Sequence, residues 1–218
     1  MRFMKPRAAK DFSRATGGVA AVEFAIILPL LLLLLLGGFE LSRYLHQSFR
    51  VSQAASNIGL MLSQFDTTLK PVDIEMVRNA ASLIVPQVRR GRGPDYANWR
   101  DRIRIDLASV EIRSVAGSKT FEAKPVWVTA NSRRSCSVLK PLNAVSDNYE
   151  PDGLPSALLT GTGSVVVVDV SYPFVPVVGS AFFSLNSRRI ERSVYIEPRQ
   201  GNLIRYDNTN TGVAANCT

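Results

Sequence analysis

The pattern of apolar and polar positions divides the chain into three parts. Residues 1–18 are polar and basic, and a predominantly apolar run then extends from Val19 to Phe39, with seven consecutive leucines at Leu30–Leu36. About 20 helical residues, each rising roughly 1.5 Å, cross the roughly 30 Å of hydrocarbon in a bilayer. The run therefore predicts one membrane-spanning helix, longer than the apolar region of an ordinary secretory signal.

Beyond the apolar run the pattern becomes amphipathic, with apolar residues at spacings of three or four, or their sum. This periodicity places them on one face of a helix. We expect the helix to continue to about Phe65 and to end at the polar, proline-containing segment Asp66–Pro71. Its apolar stripe should pack on the chain's own C-terminal domain, which is the commoner arrangement, or on helices of other subunits. The stripe consists of Leu41, Tyr44, Val51, Ala55, Ile58, Leu62 and Phe65.

A second helix is predicted after the break. Asp73 and Glu75 suit its N-terminus, where the helix dipole is positive. Pro86 should kink or end it, because proline lacks the backbone N–H that a helix interior needs. Its apolar residues again repeat at three and four, at Ile74, Val77, Ala81, Ile84 and Val88.

From Arg102 onward the alternation of apolar and polar residues indicates β-structure. The alternation changes phase near Ala108–Ser109, which predicts a bulge or turn. The valine-rich run is the candidate central strand, whereas Arg188–Glu197 alternates and should be half-buried. The segment around Ala181–Phe183 receives no assignment. The strand candidates are Ile103–Ile112, Val126–Val128, Val165–Val168 with Val170, and Ile190–Ile196.

These elements predict an α+β fold, in which a long N-terminal transmembrane-to-exported α-helix is followed by a small α+β domain with an antiparallel sheet. We divide the chain into a basic leader peptide at 1–18, a membrane-spanning and amphipathic helix at 19–65, and an exported α+β domain at 66–218. The segment Asn131–Gly163 is rich in Ser, Asn, Pro and Gly. It is expected to be a long loop.

The charge distribution predicts the topology. By the positive-inside tendency, the N-terminus stays in the cytoplasm and the domain after Phe39 is exported across the membrane. Loss of residues 1–18, with five basic residues and one acidic residue, would lower the formal net charge from +8 to +4. Because the remaining charge is mild, we expect no nucleic-acid partner. The five basic residues are Arg2, Lys5, Arg7, Lys10 and Arg14, opposed by Asp11.

Glu23 is the one acidic residue inside the apolar run. On insertion scales each Leu, Ile, Phe or Val contributes roughly −0.3 to −0.6 kcal/mol, whereas an acidic residue at the helix centre costs about 2.5 to 3.5 kcal/mol. The leucines can therefore carry Glu23 into the membrane. Tolerance alone does not explain why the residue is there.

The sequence around Glu23 resembles a known family. Residues 14–56, RATGGVAAVEFAIILPLLLLLLLGGFELSRYLHQSFRVSQAAS, are closely similar to the N-terminal domain of the TadE-like pseudopilins of the tight-adherence (Tad) pilus. The resemblance covers about the first 58 residues. Its features are the Gly-rich cut site, Val22-Glu23-Phe24, Leu28-Pro29, the leucine run, and Glu40-Leu41-Ser42-Arg43.

The resemblance implies a minor pilin or pseudopilin that takes part in assembling or initiating a Tad (Flp-type) pilus used for adhesion. A prepilin peptidase would cut after Gly18, so that Val19 becomes the new N-terminus and Glu23 the fifth residue. Glu23, with Phe24, would set the subunit register, since pairing of the Val19 amine with a neighbour's Glu23 offsets the cost of burying either charge. The implied partners are the peptidase, other pilins or pseudopilins, the pilus assembly platform and the membrane.

Two further features lie along the same helix. Pro29 removes a helical hydrogen bond and is expected to kink the membrane-spanning part, although membrane helices also tolerate proline without a functional consequence. Glu40 and Arg43 form the membrane exit motif of the resemblance. The alternative function is a signal-anchored exported binding module that does not polymerise, in which Glu23 merely lies near the headgroups.

The two cysteines, Cys136 and Cys217, are consistent with export. A pair in an oxidising compartment predicts a disulfide, and closing a loop of about 80 residues would restrict the unfolded chain by roughly 4 to 5 kcal/mol on the entropic model. The alternative is two free thiols.

No catalytic constellation is recognisable. The single histidine, His46, lies about a turn beyond the membrane without metal-ligand spacing, and we interpret it as solvated. Two distant cysteines do not make a zinc site. The arginines of Arg89–Pro94 are interpreted as a solvated loop. We therefore expect neither an enzyme nor any cofactor, metal or small-molecule substrate.

Overall fold

A computed structural model describes residues 17–89, 102–142, 150–177, 188–200, 203–207 and 212–217. It confirms the α+β fold, with a long N-terminal helix followed by a five-stranded antiparallel sheet. In chain order the elements are α1 (Gly17–Ser63), β1 (Thr68–Leu69), α2 (Pro71–Ile84), a 3₁₀ turn (Pro86–Arg89), β2 (Arg104–Ser114), β3 (Phe121–Thr129), β4 (Lys140–Leu142), β5 (Gly153–Pro155), a 3₁₀ turn (Ser156–Leu158), β6 (Gly163–Phe174), β7 (Arg188–Ile196), β8 (Arg205–Tyr206) and β9 (Ala214–Asn216).

Helix α1 is continuous through the apolar run and the amphipathic segment that follows it. It ends at Ser63, two residues before the predicted end at Phe65. A helix leaves its last carbonyls without intrahelical partners. Here the Ser63 carbonyl accepts a hydrogen bond from the backbone N–H of Arg199 at 2.9 Å, so a distant segment completes the end of the helix.

Helix α2 has the ends that its sequence predicts. Pro71 occupies the first turn, where its missing N–H has no cost. The backbone N–H of Lys70 donates to the Asp73 carboxylate at 2.9 Å. The helix ends at Ile84, and a 3₁₀ turn begins at Pro86, so the predicted end at this proline is confirmed.

The main sheet has the strand order β7-β6-β2-β3-β9, and every pairing in it is antiparallel. The pairing of β2 with β3 shifts register between Ser109 and Val110, which confirms the predicted bulge. The valine-rich strand β6 is flanked by β7 and β2, so it is an inner strand. The middle strand of the five is β2, whereas the sequence predicted the neighbouring strand β6. Strand β7 is half-buried, as expected.

The second half of α1, from Leu45, packs against one face of this sheet. Gly59 lets the helix approach closely, since a Cβ there would lie 2.5 Å from the Ile196 Cδ1 atom and 3.6 Å from the Val168 Cγ2 atom. The predicted packing of the stripe on the chain's own domain is confirmed from Val51 onward, whereas Leu41 is exposed. The fully buried members are Val51, Ala55, Ile58 and Leu62.

Polar contacts fix the same helix on β7. The Arg192 guanidinium donates to the Ser48 hydroxyl at 2.8 Å and to the Ser52 hydroxyl at 3.1 Å. Ser48 and Ser52 are four residues apart and share a helix face. One arginine therefore holds one full turn of α1 in register with the edge strand.

The opposite face of the sheet is covered by the segment that was predicted to be one long loop, Asn131–Gly163. That prediction is wrong in part, because the segment contains the parallel pair β4–β5. Leu139 and Leu154 from this segment are buried in one cluster with Val165 and Val167 of β6. Alternate residues of a strand point to opposite faces, so β6 packs on both sides.

A buried ion pair fixes this covering segment. Arg134 is bidentate to Asp169 of β6, with Nε–Oδ2 and Nη2–Oδ1 distances of 2.6 and 3.1 Å. Its Nη1 donates to the backbone carbonyls of Pro151 and Gly153 at 3.2 and 3.0 Å. The Arg134 side chain therefore connects residues 151–153, at the start of β5, to strand β6 of the sheet. The predicted basic linker Arg89–Pro94, apart from the backbone of Arg89, and the unassigned Ala181–Phe183 segment lie outside the described residues.

The close approach at Gly59 yields a testable prediction. Gly59→Leu should lower the free energy of unfolding by about 1 to 3 kcal/mol, because the added side chain enters space already filled by Ile196 and Val168. The measurement is urea unfolding of the detergent-solubilised protein, followed by tryptophan fluorescence.

The control for Gly59→Leu is Asn57→Leu, an exposed site two residues away on the same helix. It should leave the unfolding midpoint nearly unchanged. Equal midpoints for the two variants would contradict close packing at Gly59.

Candidate assembly helix and its membrane exit

The N-terminal part of α1 exposes all of its side chains. Every residue from 18 to 35 is exposed, although the run is apolar. Among the described residues, α1 is the one helix that is long and apolar enough to cross a membrane. Apolar exposure on this scale is costly in water but matches a hydrocarbon environment, so the helix suggests membrane anchoring.

The predicted processing and register residues lie at the start of this helix. Val19 and Phe24 are exposed, and a Cβ at Gly18 would meet no atom within 4 Å. Glu23 is exposed as well. Four residues span about 6 Å of helix axis. If two neighbouring helices are displaced by this distance along their axes, the Val19 amine of one lies level with the Glu23 carboxylate of the other. Their roles remain predictions.

Pro29 lies within α1, and helical structure continues on both sides of it. The freed carbonyl of Ala25 and the ring of Pro29 are a recognised cause of helix kinks. A functional kink at Pro29 remains a prediction.

Glu40 directly follows the apolar run and contacts one residue of its own helix and one residue far along the chain. Its Oε1 atom accepts a hydrogen bond from Arg43 Nη1 at 3.0 Å, one turn further on. The same carboxylate accepts the backbone N–H of Val177, with 3.1 Å to Oε1 and 3.3 Å to Oε2. The structure therefore brings Glu40 and Arg43 together, and the Val177 backbone joins them. Their role as a membrane exit motif remains a prediction.

The disulfide joins Cys136 and Cys217, which are 81 residues apart. It lies beside β9, which pairs with the edge of β3. The backbone N–H of Cys217 donates to the Val126 carbonyl at 2.7 Å. The crosslink therefore attaches both the covering segment and the C-terminal strand to the domain.

Among the described residues, the buried cluster of Arg134, Asp169 and Tyr195 has shifted pKa values. Burial raises the pKa of Asp169, and the hydrogen bonds from Arg134 and Ser193 offset this only partly. Burial also raises the pKa of Tyr195, whose ring lies 6.0 Å from the Arg134 guanidinium carbon. Arg134 and Asp169 hold the covering segment on β6, and we assign this ion pair a structural role.

Sequence reasoning missed Val177, Arg134 and Asp169. Asp169 carried a usable signal, since it is an acidic residue inside an otherwise apolar strand and so requires a buried partner. Neither Arg134 nor Val177 differs in sequence from ordinary loop residues. His46 is exposed, and the described residues contain no group of three or more His, Cys, Asp or Glu side chains placed to hold a metal ion.

Together these features define a class: a protein with one N-terminal helix suited to membrane anchoring and a disulfide-linked α+β domain. Residues 18–58 match the family model described as TadE-like protein. The TadE-like N-terminus predicted from the sequence is thereby confirmed over this segment. No curated protein and no solved structure gives a match to the chain.

The disulfide yields a second prediction. Replacing both cysteines, Cys136→Ser with Cys217→Ser, should lower the free energy of unfolding by about 4 to 5 kcal/mol, because the crosslink closes a long loop in the unfolded chain. The measurement is urea unfolding, compared with the parent protein with and without reductant.

The control is thiol labelling of the unfolded parent protein. Neither cysteine should react before reduction, and both should react after it. Labelling without reductant would contradict the crosslink.

Proposed function

We propose that this protein is a minor pilin or pseudopilin that takes part in assembly or initiation of a Tad pilus. A prepilin peptidase removes residues 1–18, and the processed helix then joins other pilins at the assembly platform. The observation that carries this proposal is the coincidence of the TadE-like match at 18–58 with helix α1, which begins at Gly17 and extends to Ser63. TadE-like pilins are structural proteins, which supports a role without catalysis.

Glu23 is central to the proposed mechanism. Processing creates a new α-amino group at Val19, which carries a positive charge when protonated. Pairing of this amine with Glu23 of a neighbouring subunit offsets the cost of burying either charge in a low-dielectric interior. The exposure of Glu23 on α1 leaves its side chain available to another subunit.

The C-terminal domain is assigned to partner selection. Together with the second half of α1, its described residues form a hydrophobic core on both faces of the sheet. Because all of these residues belong to one chain, the subunit can fold and be presented without other subunits. The leucine run retains the subunit in the inner membrane until it is extracted into a fibre, with its domain on the extracytoplasmic side.

Processing is tested at the glycine before the cut. Gly18→Leu should abolish cleavage, and Gly18→Ala should reduce it strongly, because the peptidase must fit the backbone of this position. Intact-mass spectrometry of the membrane-extracted protein should find a chain beginning at Val19 for the parent and an uncut leader for the variants.

The matched control for processing is Gly38→Leu, at the far end of the same helix. A Cβ at Gly18 or at Gly38 meets no atom within 4 Å, so neither replacement strains the fold. Gly38→Leu should be cleaved normally. An intact leader on the parent protein would overturn the processing claim and would favour a signal-anchored binding module.

Register is tested at Glu23. Glu23→Ala and Glu23→Gln should be processed normally but should enter fibres at least about tenfold less, since loss of about 1.4 kcal/mol of pairing energy corresponds to that ratio. The measurement is the amount of processed protein in sheared surface fibres relative to the membrane fraction.

The matched control for register is Leu33→Ala, another exposed position of the membrane-spanning part. It should enter fibres at the parent level. Normal incorporation of Glu23→Gln would remove the charge-pairing argument. Absence of the parent protein from sheared fibres, together with its presence in the assembly complex, would place it at the platform.

A further inference from the structure

The contact between Glu40 and Val177 joins two segments that are far apart in the sequence. The carboxylate of Glu40 accepts the backbone N–H of Val177, with 3.1 and 3.3 Å to its two oxygens. Val177 follows β6, three residues after Phe174. The residue is thereby placed beside the end of the apolar part of α1, within the same compact unit.

The position of Glu40 on the helix sets the depth of this contact. The apolar run from Val19 to Phe39 is long enough to fill roughly 30 Å of hydrocarbon. Glu40 is the next residue and therefore lies at the hydrocarbon boundary. The headgroup layer beyond it is roughly 5 to 8 Å thick on each side, and a backbone N–H bonded to Glu40 lies within that layer.

The chemistry of the contact also suits an interface. A carboxylate at the membrane boundary needs hydrogen-bond donors, which Arg43 at 3.0 Å and the Val177 N–H supply. With its N–H satisfied, Val177 presents an apolar side chain that is 57% exposed. An exposed aliphatic side chain beside a spanning helix is favourable when lipid covers it.

We propose that Val177 is a second membrane-contacting point of this protein, which Glu40 holds against the lipid of the exported interface. The occupant of the surface is the bilayer, because the contact is continuous with the helix that the lipid surrounds. The proposal rests on the membrane anchoring of α1 that the proposed function assumes. Glu40 acts here as a positioning residue, and its contact would restrain the subunit until extraction.

The test uses a single environment-sensitive fluorophore on the full-length protein. Both native cysteines are in the disulfide, so one added cysteine can be labelled alone under non-reducing conditions. The label is placed at Val177→Cys, at Phe39→Cys as the membrane reference, and at Lys119→Cys, in the exposed β2–β3 turn, as the reference for the domain surface. The protein is reconstituted in phosphatidylethanolamine–phosphatidylglycerol vesicles with lipids that carry a nitroxide near the headgroup.

The label at Val177 should be quenched at least about twofold more than the label at Lys119, and to a similar extent as the label at Phe39, because the two lie at similar depth. Glu40→Ala should lower quenching at Val177 to the Lys119 level and leave Phe39 unchanged. Glu40→Gln, whose amide oxygen still accepts one hydrogen bond, should retain part of the effect.

The controls separate this inference from the proposed function. Equal quenching at Val177 and Lys119, with Phe39 strongly quenched, would overturn the inference and leave the anchoring intact. An unquenched label at Phe39 would overturn the anchoring itself. A Val177 label whose emission reports an apolar environment in assembled fibres, but which is not quenched in vesicles, would show that a neighbouring subunit covers the residue. That result would also overturn the lipid contact.

Discussion

The structure of the domain depends on the packing of α1 against the sheet. The helix from Leu45 to Ser63 contributes one apolar face to the core, and Gly59 allows its backbone to approach Val168 and Ile196. Close approach increases the number of van der Waals contacts and excludes water from both elements. The same helix is apolar on all sides further toward its N-terminus. A single element therefore changes from an all-round apolar surface to a one-sided one, and the change occurs near Glu40 and Arg43.

The second constraint is electrostatic and acts on the other face of the sheet. Asp106 of β2 and Asp169 of β6 are directly opposite each other in the strand register, and both are buried. Like charges in that arrangement are unfavourable. Arg104 and Arg134 neutralise them, and Arg134 also satisfies the carbonyls of the covering segment. Removing one member of such a buried group costs more than the group contributes as a whole, since the remaining charge is left unpaired.

Much of the fold could be predicted because it is encoded in local periodicity. The spacing of Ile74, Val77 and Ala81 identified α2, and the change of phase near Ser109 identified the bulge. The pattern does not specify which strands are neighbours, so the middle position of β2 could not be derived from the apolar character of β6. The pair β4–β5 was missed because three-residue strands in a polar segment leave too few positions for a period to be recognised.

At the candidate membrane exit, too, only the contact between residues close in the sequence was predictable. Glu40 and Arg43 were predictable as a pair because residues three apart on a helix are neighbours. The third member, Val177, is 137 positions away from Glu40. Its contribution is a backbone N–H, which every residue except proline possesses, so no sequence signal can distinguish it. Contacts that depend on the backbone become visible only when the fold brings the segments together.

The energetics of Glu23 separate membrane insertion from assembly. Seven leucines at roughly −0.3 to −0.6 kcal/mol each contribute about −2 to −4 kcal/mol, which is similar in size to the cost of one acidic residue near the helix centre. The apolar run therefore suffices for insertion whether or not Glu23 has a partner. The proposed pairing of Glu23 with a neighbour's Val19 amine is therefore not needed for insertion. It would reduce the cost of burying the charge between subunits, so its effect would fall mainly on assembly. This separation explains why the proposed function assigns the leucine run to retention in the membrane and Glu23 to the choice of register.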